Sequence, residues 1–239
     1  MMRTGKIDGL EYRLRKSNRK SIGISIERNG TVMVTAPYQA RLNDIDDFIS
    51  KKKIWIYQKL AQKKTFNMER PKREFVNGQG FLYLGRSYRL KVIDDGGIKS
   101  GRSSKVAPLR LWHGYFELAE TEKANARNQF ISWYRKQIKK QLKERIPRYE
   151  KRIGVKVTDI RISDLGHRWA SCGRNGNINF NWRSVMAPIW VFDYILVHEL
   201  VHLIERGHTE RFWRMVARVM PEYEEHARWL HENGADLDL

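Results

Sequence analysis

One stretch near the C-terminus constrains this 239-residue chain more than any other feature. It begins with His198 and Glu199 and carries further histidines at His202 and His208. Residues four apart lie on one face of an α-helix, so the imidazoles of His198 and His202 can reach a single metal ion. His208 can supply a third nitrogen and leave a fourth tetrahedral position open, which is typical of catalytic rather than structural zinc sites. The pattern predicts a Zn2+ site, with Glu199 as general base on a metal-activated water.

The flanking residues favour a helix followed by a turn. An apolar run at 190–197 precedes the first histidine, and Pro188 suits the first position of a helix. Gly207 is predicted to end the helix in a left-handed cap, and a second helix is expected from Thr209. His208 then falls in the turn between two helices, where it can fold back toward the first.

Further motifs, in a fixed order, are similar to those of the YgjP-like metallopeptidase family. They cover nearly the whole chain and lie at Arg15–Ile24, Tyr83–Tyr88, His167–Cys172, Gly176–Arg183, Ala187–Pro188, His198–His202 and His208–Trp213. The departures from the family pattern are mild. Ala170 replaces a usual glycine, and Gly207 and Thr209 flank His208 in place of asparagine and serine.

The resemblance implies a zincin-like fold, with His198, His202 and His208 as zinc ligands and Glu199 as general base. It does not imply a substrate. The strands that adjoin the motif helix offer polar side chains for substrate binding or for stabilising an oxyanion. These candidates are Arg168, Asn177, Asn179 and Arg183. His226 and His231, on a later helix, are expected to be surface residues, because three ligands are already found.

The chain contains one cysteine, Cys172, so an intramolecular disulfide is impossible and a reducing compartment is expected. A lone cysteine beside a strand-forming tryptophan is more often packed than reactive, so Cys172 is not expected to be a nucleophile. The basic N-terminus lacks a continuous apolar segment, and no apolar stretch approaches the length of a membrane span. We therefore expect a cytoplasmic protein with no membrane partner.

The formal net charge of +19 is unevenly distributed. Residues 1–153 hold 36 lysines and arginines against 15 acidic residues, whereas residues 154–239 hold 10 against 12. This asymmetry suggests non-specific nucleic-acid binding through the basic N-terminal part and a long basic helix at 121–152. A solvated surface without a partner explains the charge equally well, because no recognised nucleic-acid-binding motif accompanies it.

Local patterns predict an α+β protein. Strands are expected at 21–26 and 32–34 around an Asn29-Gly30 hairpin, followed by a helix at 43–61 capped by Asn43. Residues 75–118 look β-rich, with turns at Asn77-Gly78 and His113-Gly114 and a loop over 94–104. We predict a β-rich N-terminal module at 1–118, containing one helix, and a zincin-like metallopeptidase domain at 119–239.

The second part begins with the helix at 121–152, which Pro147 could interrupt. Apolar residues recur along it at helical spacing and predict a buried stripe, with the basic residues outside. Strands at 155–165, 168–172 and 177–182 then predict a small antiparallel sheet, with a hairpin at Asn175-Gly176. Strict alternation over 177–182 places Ile178, Phe180 and Trp182 on the core side and the three asparagines opposite.

Four functions compete. The leading hypothesis is a cytosolic zinc metallopeptidase that cleaves a protein or peptide substrate. A second is a nucleic-acid-associated protease, similar to SprT-like proteases, and a third is a metal-dependent nuclease. The fourth is a non-catalytic, zinc-stabilised binding module. Glu199 and the open coordination position disfavour the fourth. Metzincins use the same gap before the third histidine, but Glu205 stands at their glycine position.

Overall fold

The chain divides after residue 71 into two units, which cover residues 1–71 and 72–239. The structure is a computed structural model, and it describes residues 2–7, 9–27, 30–66, 73–94, 107–166, 168–173 and 175–239. Asn29, His167 and most of the predicted loop at 94–104 lie outside the described residues.

The first unit is a four-stranded sheet with two helices. Its elements are β1 (Met2–Ile7), β2 (Leu10–Ser17), β3 (Gly23–Ile26), β4 (Val32–Pro37), α1 (Leu42–Lys51) and α2 (Lys53–Phe66). The strand order is β1-β2-β4-β3, with β2 and β4 parallel and the two outer pairs antiparallel. The expected hairpin is confirmed in its described part, where β3 pairs with β4 and Gly30 has a φ of 85°.

The predicted helix at 43–61 is instead two helices that meet at Lys52. Ile45 and Ile49 of α1 and Ile56 of α2 are all fully buried in one apolar core. The first helix begins at Leu42 after Arg41, which makes no side-chain capping hydrogen bond, so the predicted cap at Asn43 is wrong. Burial of the isoleucines, rather than a cap, stabilises this start.

The second unit contains two sheets and the remaining helices. Its strands are β5 (Gly80–Tyr83), β6 (Arg86–Ile93), β7 (Leu109–Trp112), β8 (Tyr115–Ala119), β9 (Ile160–Ser163), β10 (Ala170–Cys172) and β11 (Ile178–Asn181). Its α-helices are α3 (Ala126–Ile153), α4 (Ile189–Val201), α5 (Glu210–Val219) and α6 (Tyr223–Asn233). Short 3-10 helices lie at Glu120–Asn125, Trp182–Met186 and Gly234–Asp236.

Strands β5 to β8 form a sheet of order β5-β6-β8-β7, in which β6 and β8 are parallel and the outer pairs are antiparallel. This is the same order and pairing as in the sheet of the first unit. The two units therefore contain sheets of the same topology.

The predicted boundary between residues 118 and 119 lies inside β8, so it does not separate two units. Phe81 and Phe116 of the preceding sheet are buried in one core with Phe130 and Tyr134 of α3. The Phe81 and Phe130 rings stack with centroids 4.1 Å apart, and the Tyr134 hydroxyl donates to the Leu82 carbonyl at 2.7 Å. The sheet at 80–119 therefore belongs with the metal-site residues that follow.

Helix α3 continues through Pro147 without a break. Proline removes one backbone hydrogen bond, but Ile146 and Tyr149 on either side are buried and fix the helix against the core. The predicted buried stripe is confirmed for Phe130, Tyr134, Ile138 and Leu142, and Trp133 is half-buried against the same core.

The third sheet has the order β10-β11-β9 and is mixed rather than antiparallel. The predicted hairpin between β10 and β11 is confirmed, and Gly176 in its turn has a φ of 80°. However, β9 runs parallel to β11, because the residues between β9 and β10 return the chain to the far side of the sheet. Ile178, Phe180 and Trp182 are buried as predicted.

Helix α4 is almost entirely buried, and two contacts fix its position. Its N-terminus follows Pro188, against which the turn between β5 and β6 packs: a Cβ built on Gly85 would lie 2.8 Å from Pro188 Cα. Gly85 also has a φ of +79°, so the turn requires glycine there. On another face, Asp193 accepts from the Tyr149 hydroxyl at 3.1 Å and pairs with Arg145 of α3 at 2.9 Å.

None of the helices in the described ranges combines the length and the apolar character needed to cross a bilayer.

Candidate metal centre

Helix α4 carries the first two histidines of the motif, and the turn after it carries the third. His198 lies in the last turn of α4, and His202 caps the helix with backbone angles that are still helical, φ −62° and ψ −15°. The predicted left-handed cap at Gly207 is wrong, because the chain leaves the helix after His202 through turns closed by Leu200 and Val201 carbonyls. His208 lies just before α5, as predicted.

The three imidazoles converge through their Nε2 atoms. The Nε2 of His198 lies 3.2 Å from that of His202 and 3.0 Å from that of His208. One ring proton cannot satisfy two such contacts, whereas three lone pairs can be shared with one cation. Tetrahedral ligands at 2.0–2.1 Å from zinc lie roughly 3.4 Å apart, so the observed separations fit a single Zn2+. The ring nitrogens that these three residues could offer to a metal all lie within 4.8 Å of one another.

The electrostatics of the ring nitrogens suit metal binding. The Nδ1 of His202 lies 3.0 Å from the Glu205 carbonyl, which can only accept, so this nitrogen carries the proton and Nε2 keeps its lone pair. Burial, and the neighbouring His202 and His208, lower the pKa of His198 to about 3. Its imidazole is therefore neutral at pH 7 and can act as a ligand. The buried Nδ1 of His198 has no hydrogen-bond partner among the described residues.

Glu199 lies on the same helix and is only 7% exposed. Burial raises the pKa of its carboxyl to about 7, although the charge of Arg168 and the backbone N–H of Cys172 both act to lower it. A carboxyl with a pKa near neutrality can accept and return a proton, as a general base must. Glu199 thus follows His198 on α4, and its carboxyl accepts from the backbone of Cys172 in strand β10.

An aromatic wall supports the three histidines from α5. Phe212 is fully buried, and its ring lies 4.5 Å from that of His202 and 4.9 Å from those of His198 and His208. Trp213 stacks on His208 with ring centroids 5.6 Å apart and an interplanar angle of 25°. The N-terminus of α5 is fixed by Thr209, whose hydroxyl accepts from the Phe212 N–H. This packing restricts the rotamers of the imidazoles.

Arg206 connects the turn after α4 to the end of β10. Its guanidinium donates to the Gly173 carbonyl at 3.0 Å and lies 3.7 Å from the Cys172 sulfur. Burial raises the pKa of the Cys172 thiol, although Arg206 opposes the shift. A thiol with a raised pKa is a poor nucleophile at neutral pH, which agrees with the expectation that Cys172 has a packing role.

The four substrate-binding candidates occupy different environments. Arg168 is exposed, and its charge acts to lower the pKa of Glu199, so it lies within electrostatic range of that carboxyl. Asn179 is half-buried, and its amide lies 3.4 Å from the Ser171 hydroxyl on the paired strand. Asn177 covers Gly173, where a built Cβ would overlap its side-chain oxygen. Arg168 and Asn179 retain polar groups that could face a substrate.

Arg183, the fourth candidate, is buried in ion pairs and does not present its side chain to a substrate. Its side chain is 7% exposed and forms 2.7 Å ion pairs with Asp164 and Asp238, while its guanidinium lies over the Trp182 ring at 4.2 Å. With its donors engaged in this way, Arg183 ties the C-terminus to the third sheet. The third asparagine of the alternating strand, Asn181, is likewise buried and donates to the carbonyls of Gly166 and Arg168.

The later histidines are not part of the cluster. His226 is half-buried rather than at the surface, because its ring packs 4.8 Å from that of Trp190 and its Nδ1 lies 3.1 Å from the Met220 sulfur. His231 is exposed, as expected.

Sequence reasoning assigned no role to Phe212, Trp213, Tyr194 or Arg206. Tyr194 lies one turn before His198, with ring centroids 5.9 Å apart, and burial raises the pKa of its hydroxyl to about 12. The spacing of four residues before His198 could have indicated Tyr194. The aromatic pair Phe212 and Trp213 belongs to the motif that resembles the family, but an apolar pattern alone cannot distinguish core packing from support of a ligand.

Three histidine nitrogens around one point, with a buried carboxyl on the same helix, are an arrangement that could hold a metal ion and serve a metal-dependent hydrolase. The family model for the YgjP-like metallopeptidase domain matches residues 20–233. The chain therefore belongs to the YgjP-like metallopeptidase family. No curated protein matches it. Among solved structures, the metallopeptidase zymogen of Pyrococcus abyssi abylysin is 26% identical, over 38% of this chain and 93% of that chain, with a TM-score of 0.35.

Proposed function

We propose that this protein is a cytosolic, zinc-dependent peptidase with a zincin-like site, in which His198, His202 and His208 hold the metal and Glu199 is the general base. The observation that carries the proposal is the convergence of the three Nε2 atoms, next in sequence to the buried carboxyl of Glu199 on the same helix. Family membership supports peptide hydrolysis over the other metal-dependent reactions.

The roles of the protein groups follow from their positions. Zinc, when bound, would act as a Lewis acid that polarises the scissile carbonyl and makes water more acidic. Glu199 would accept a proton from the attacking water and donate it to the leaving amine. The Cys172 N–H orients this carboxyl, and the charge of Arg168 favours its ionised form. The Glu205 carbonyl fixes the tautomer of His202.

The test compares the parent protein with Glu199→Gln and Glu210→Gln. Each protein is loaded with zinc, assayed for metal content, and incubated with a mixed peptide library whose products are identified by mass spectrometry. Glu199→Gln should keep one equivalent of zinc and lose about 10²–10⁴-fold in kcat, because glutamine preserves shape but cannot accept the proton. Glu210→Gln removes an 83% exposed carboxylate and should behave as the parent does. Equal peptidase activity in Glu199→Gln would contradict the assigned role.

We propose, as a second candidate, that the peptidase acts in association with nucleic acid, as SprT-like proteases do. Its support is a row of four exposed lysines on α3, at Lys136, Lys139, Lys140 and Lys143. The basic excess is also shared by both units: residues 1–71 hold 16 basic and 7 acidic residues, and residues 72–239 hold 30 and 20. The same library experiment with added DNA and RNA separates this function from a nuclease, which would yield Glu199-dependent nucleic-acid fragments.

A further inference from the structure

A groove of about 460 Å³ lies between α5 and α6, next to the histidine cluster. It is lined by Trp213, Tyr223, Glu224, Ala227, Arg228 and His231. Its volume falls within the range of small-ligand sites, about 300–1,000 Å³, which are lined mainly by apolar and aromatic groups. None of these six residues is among the proposed ligands or the proposed base.

The groove is continuous with the metal site through a stack of rings. Trp213 stacks on His208 with a centroid distance of 5.6 Å, and it also stacks on Tyr223 at 5.3 Å with an interplanar angle of 19°. The Trp213 centroid lies 5.9 Å from that of His198. The wall of the groove is therefore in direct contact with a proposed metal ligand.

The chemistry of the lining indicates the occupant. Trp213, Tyr223 and Ala227 are half-buried and present apolar surface, whereas Arg228 and His231 are exposed at the rim. The Tyr223 hydroxyl donates to the Glu224 carboxylate at 3.1 Å, which holds the ring in place. The half-buried part of the lining is therefore apolar and suits an apolar or aromatic partner, while the charged groups and the histidine of the lining lie at exposed positions.

We propose that this groove binds a large apolar side chain, aromatic or leucine-like, of the peptide substrate, beside the scissile bond. The inference rests on the proposed peptidase function and adds a determinant of specificity to it. A single methylene in an apolar pocket is worth about 10–200-fold in kcat/KM, so phenylalanine or leucine should be favoured over alanine by at least about tenfold. The parent should therefore prefer phenylalanine or leucine over alanine at one position near the cleaved bond.

Two substitutions reduce the groove, and one control leaves it intact. Ala227→Phe fills it from α6, and His231→Trp narrows it at the exposed rim without entering the core. Glu225→Phe adds the same ring as the first variant on α6, but at an exposed position outside the groove. Thermal unfolding checks that each variant is folded.

The first measurement is kcat/KM for matched peptides with phenylalanine or alanine at the preferred position. In Ala227→Phe, kcat/KM for the phenylalanine peptide should exceed that for the alanine peptide by no more than about threefold, since the apolar contact is lost. In His231→Trp the same ratio should be smaller than in the parent. Glu225→Phe should keep the parental preference. A parental preference that survives in both groove variants overturns the proposal, while the peptidase function stands.

The second measurement does not depend on turnover. Zinc-loaded Glu199→Gln protein is titrated with the same two peptides in a calorimeter, alone and combined with Ala227→Phe. The phenylalanine peptide should bind at least tenfold more tightly, and Ala227→Phe should abolish the difference. If the parent cleaves no peptide but this binding difference is seen, the peptidase function fails and the groove is retained as a side-chain site. Equal binding of the two peptides overturns the groove proposal.

Discussion

Replacement of Phe212 by alanine is the sharpest test of how the metal site is built. The ring is fully buried and lies within 5 Å of the centroids of all three imidazoles, at 4.5 Å from His202 and 4.9 Å from both His198 and His208. Its loss removes core packing and also the surface against which the ligands are held. Stability and metal affinity should therefore decrease together.

The magnitudes follow from burial. Truncation of a fully buried phenylalanine to alanine costs about 3–5 kcal/mol, which is a large share of the roughly 5–15 kcal/mol that stabilises a typical domain. Loss of a group that orients metal ligands lowers metal affinity by about 10–100-fold. At free zinc 100 times the parental Kd, the parent gains about 2.7 kcal/mol from binding, whereas a variant that binds 100-fold more weakly gains only about 0.4 kcal/mol.

The assay is urea unfolding of metal-free and zinc-loaded protein, together with a zinc titration against a chelating indicator. Phe212→Leu is the matched control, because leucine preserves most of the apolar contact and should lose less on both measures. The reasoning is refuted if Phe212→Ala loses less than about 1 kcal/mol without metal, or if it binds zinc as tightly as the parent does.

Three further predictions concern the ligands, a buried ion pair and the basic helix. His202→Ala should reduce the bound zinc of the purified protein from one equivalent to a small fraction, as measured by elemental analysis; full retention would exclude His202 as a ligand. Arg183→Met should cost about 1.5–3 kcal/mol at pH 7, because it breaks charge-assisted hydrogen bonds to Asp164 and Asp238. Burial alone would raise the pKa of Asp164, but Arg183 and the Gly166 N–H lower it below its usual value. The stability that the Arg183–Asp164 ion pair adds should therefore be complete above about pH 4 and decrease as the pH falls through the lowered pKa of Asp164. Denaturation of the parent and of Arg183→Met across pH 2–7 measures this loss. A difference in unfolding free energy that stays constant over this range would contradict the prediction. Reversing the charge of four exposed lysines on α3 should weaken nucleic-acid binding and reduce its salt dependence, as measured by fluorescence anisotropy. The four positions are Lys136, Lys139, Lys140 and Lys143. Unchanged affinity would exclude this helix as the contact surface.

The local chemistry of the metal site was predictable from the sequence because it depends on short-range geometry. Four residues make about one helical turn, so the spacing of His198 and His202 determines that both rings lie on one face. The alternation over 177–182 determined which side of β11 is buried, and the asparagine-glycine pair determined its hairpin with β10. Family membership followed from the same motifs, since they carry both the ligands and the residues around them.

The tertiary structure decided what depends on residues that are distant in the sequence. The unit boundary lies at 71/72 because Phe81 and Phe116 pack on α3, a contact that no local pattern reveals. Arg183 is a buried ion-pairing residue rather than a substrate-binding one, because Asp164 and Asp238, from different parts of the chain, both contact its guanidinium. The spacing of apolar residues does not reveal how deeply Glu199 is buried, and this burial raises the pKa of its carboxyl. Only the fold brings the ring of Phe212 against the three histidines. The sequence by itself determined which groups can bind the metal, and only the fold determined which side chains support them and what lies beside them.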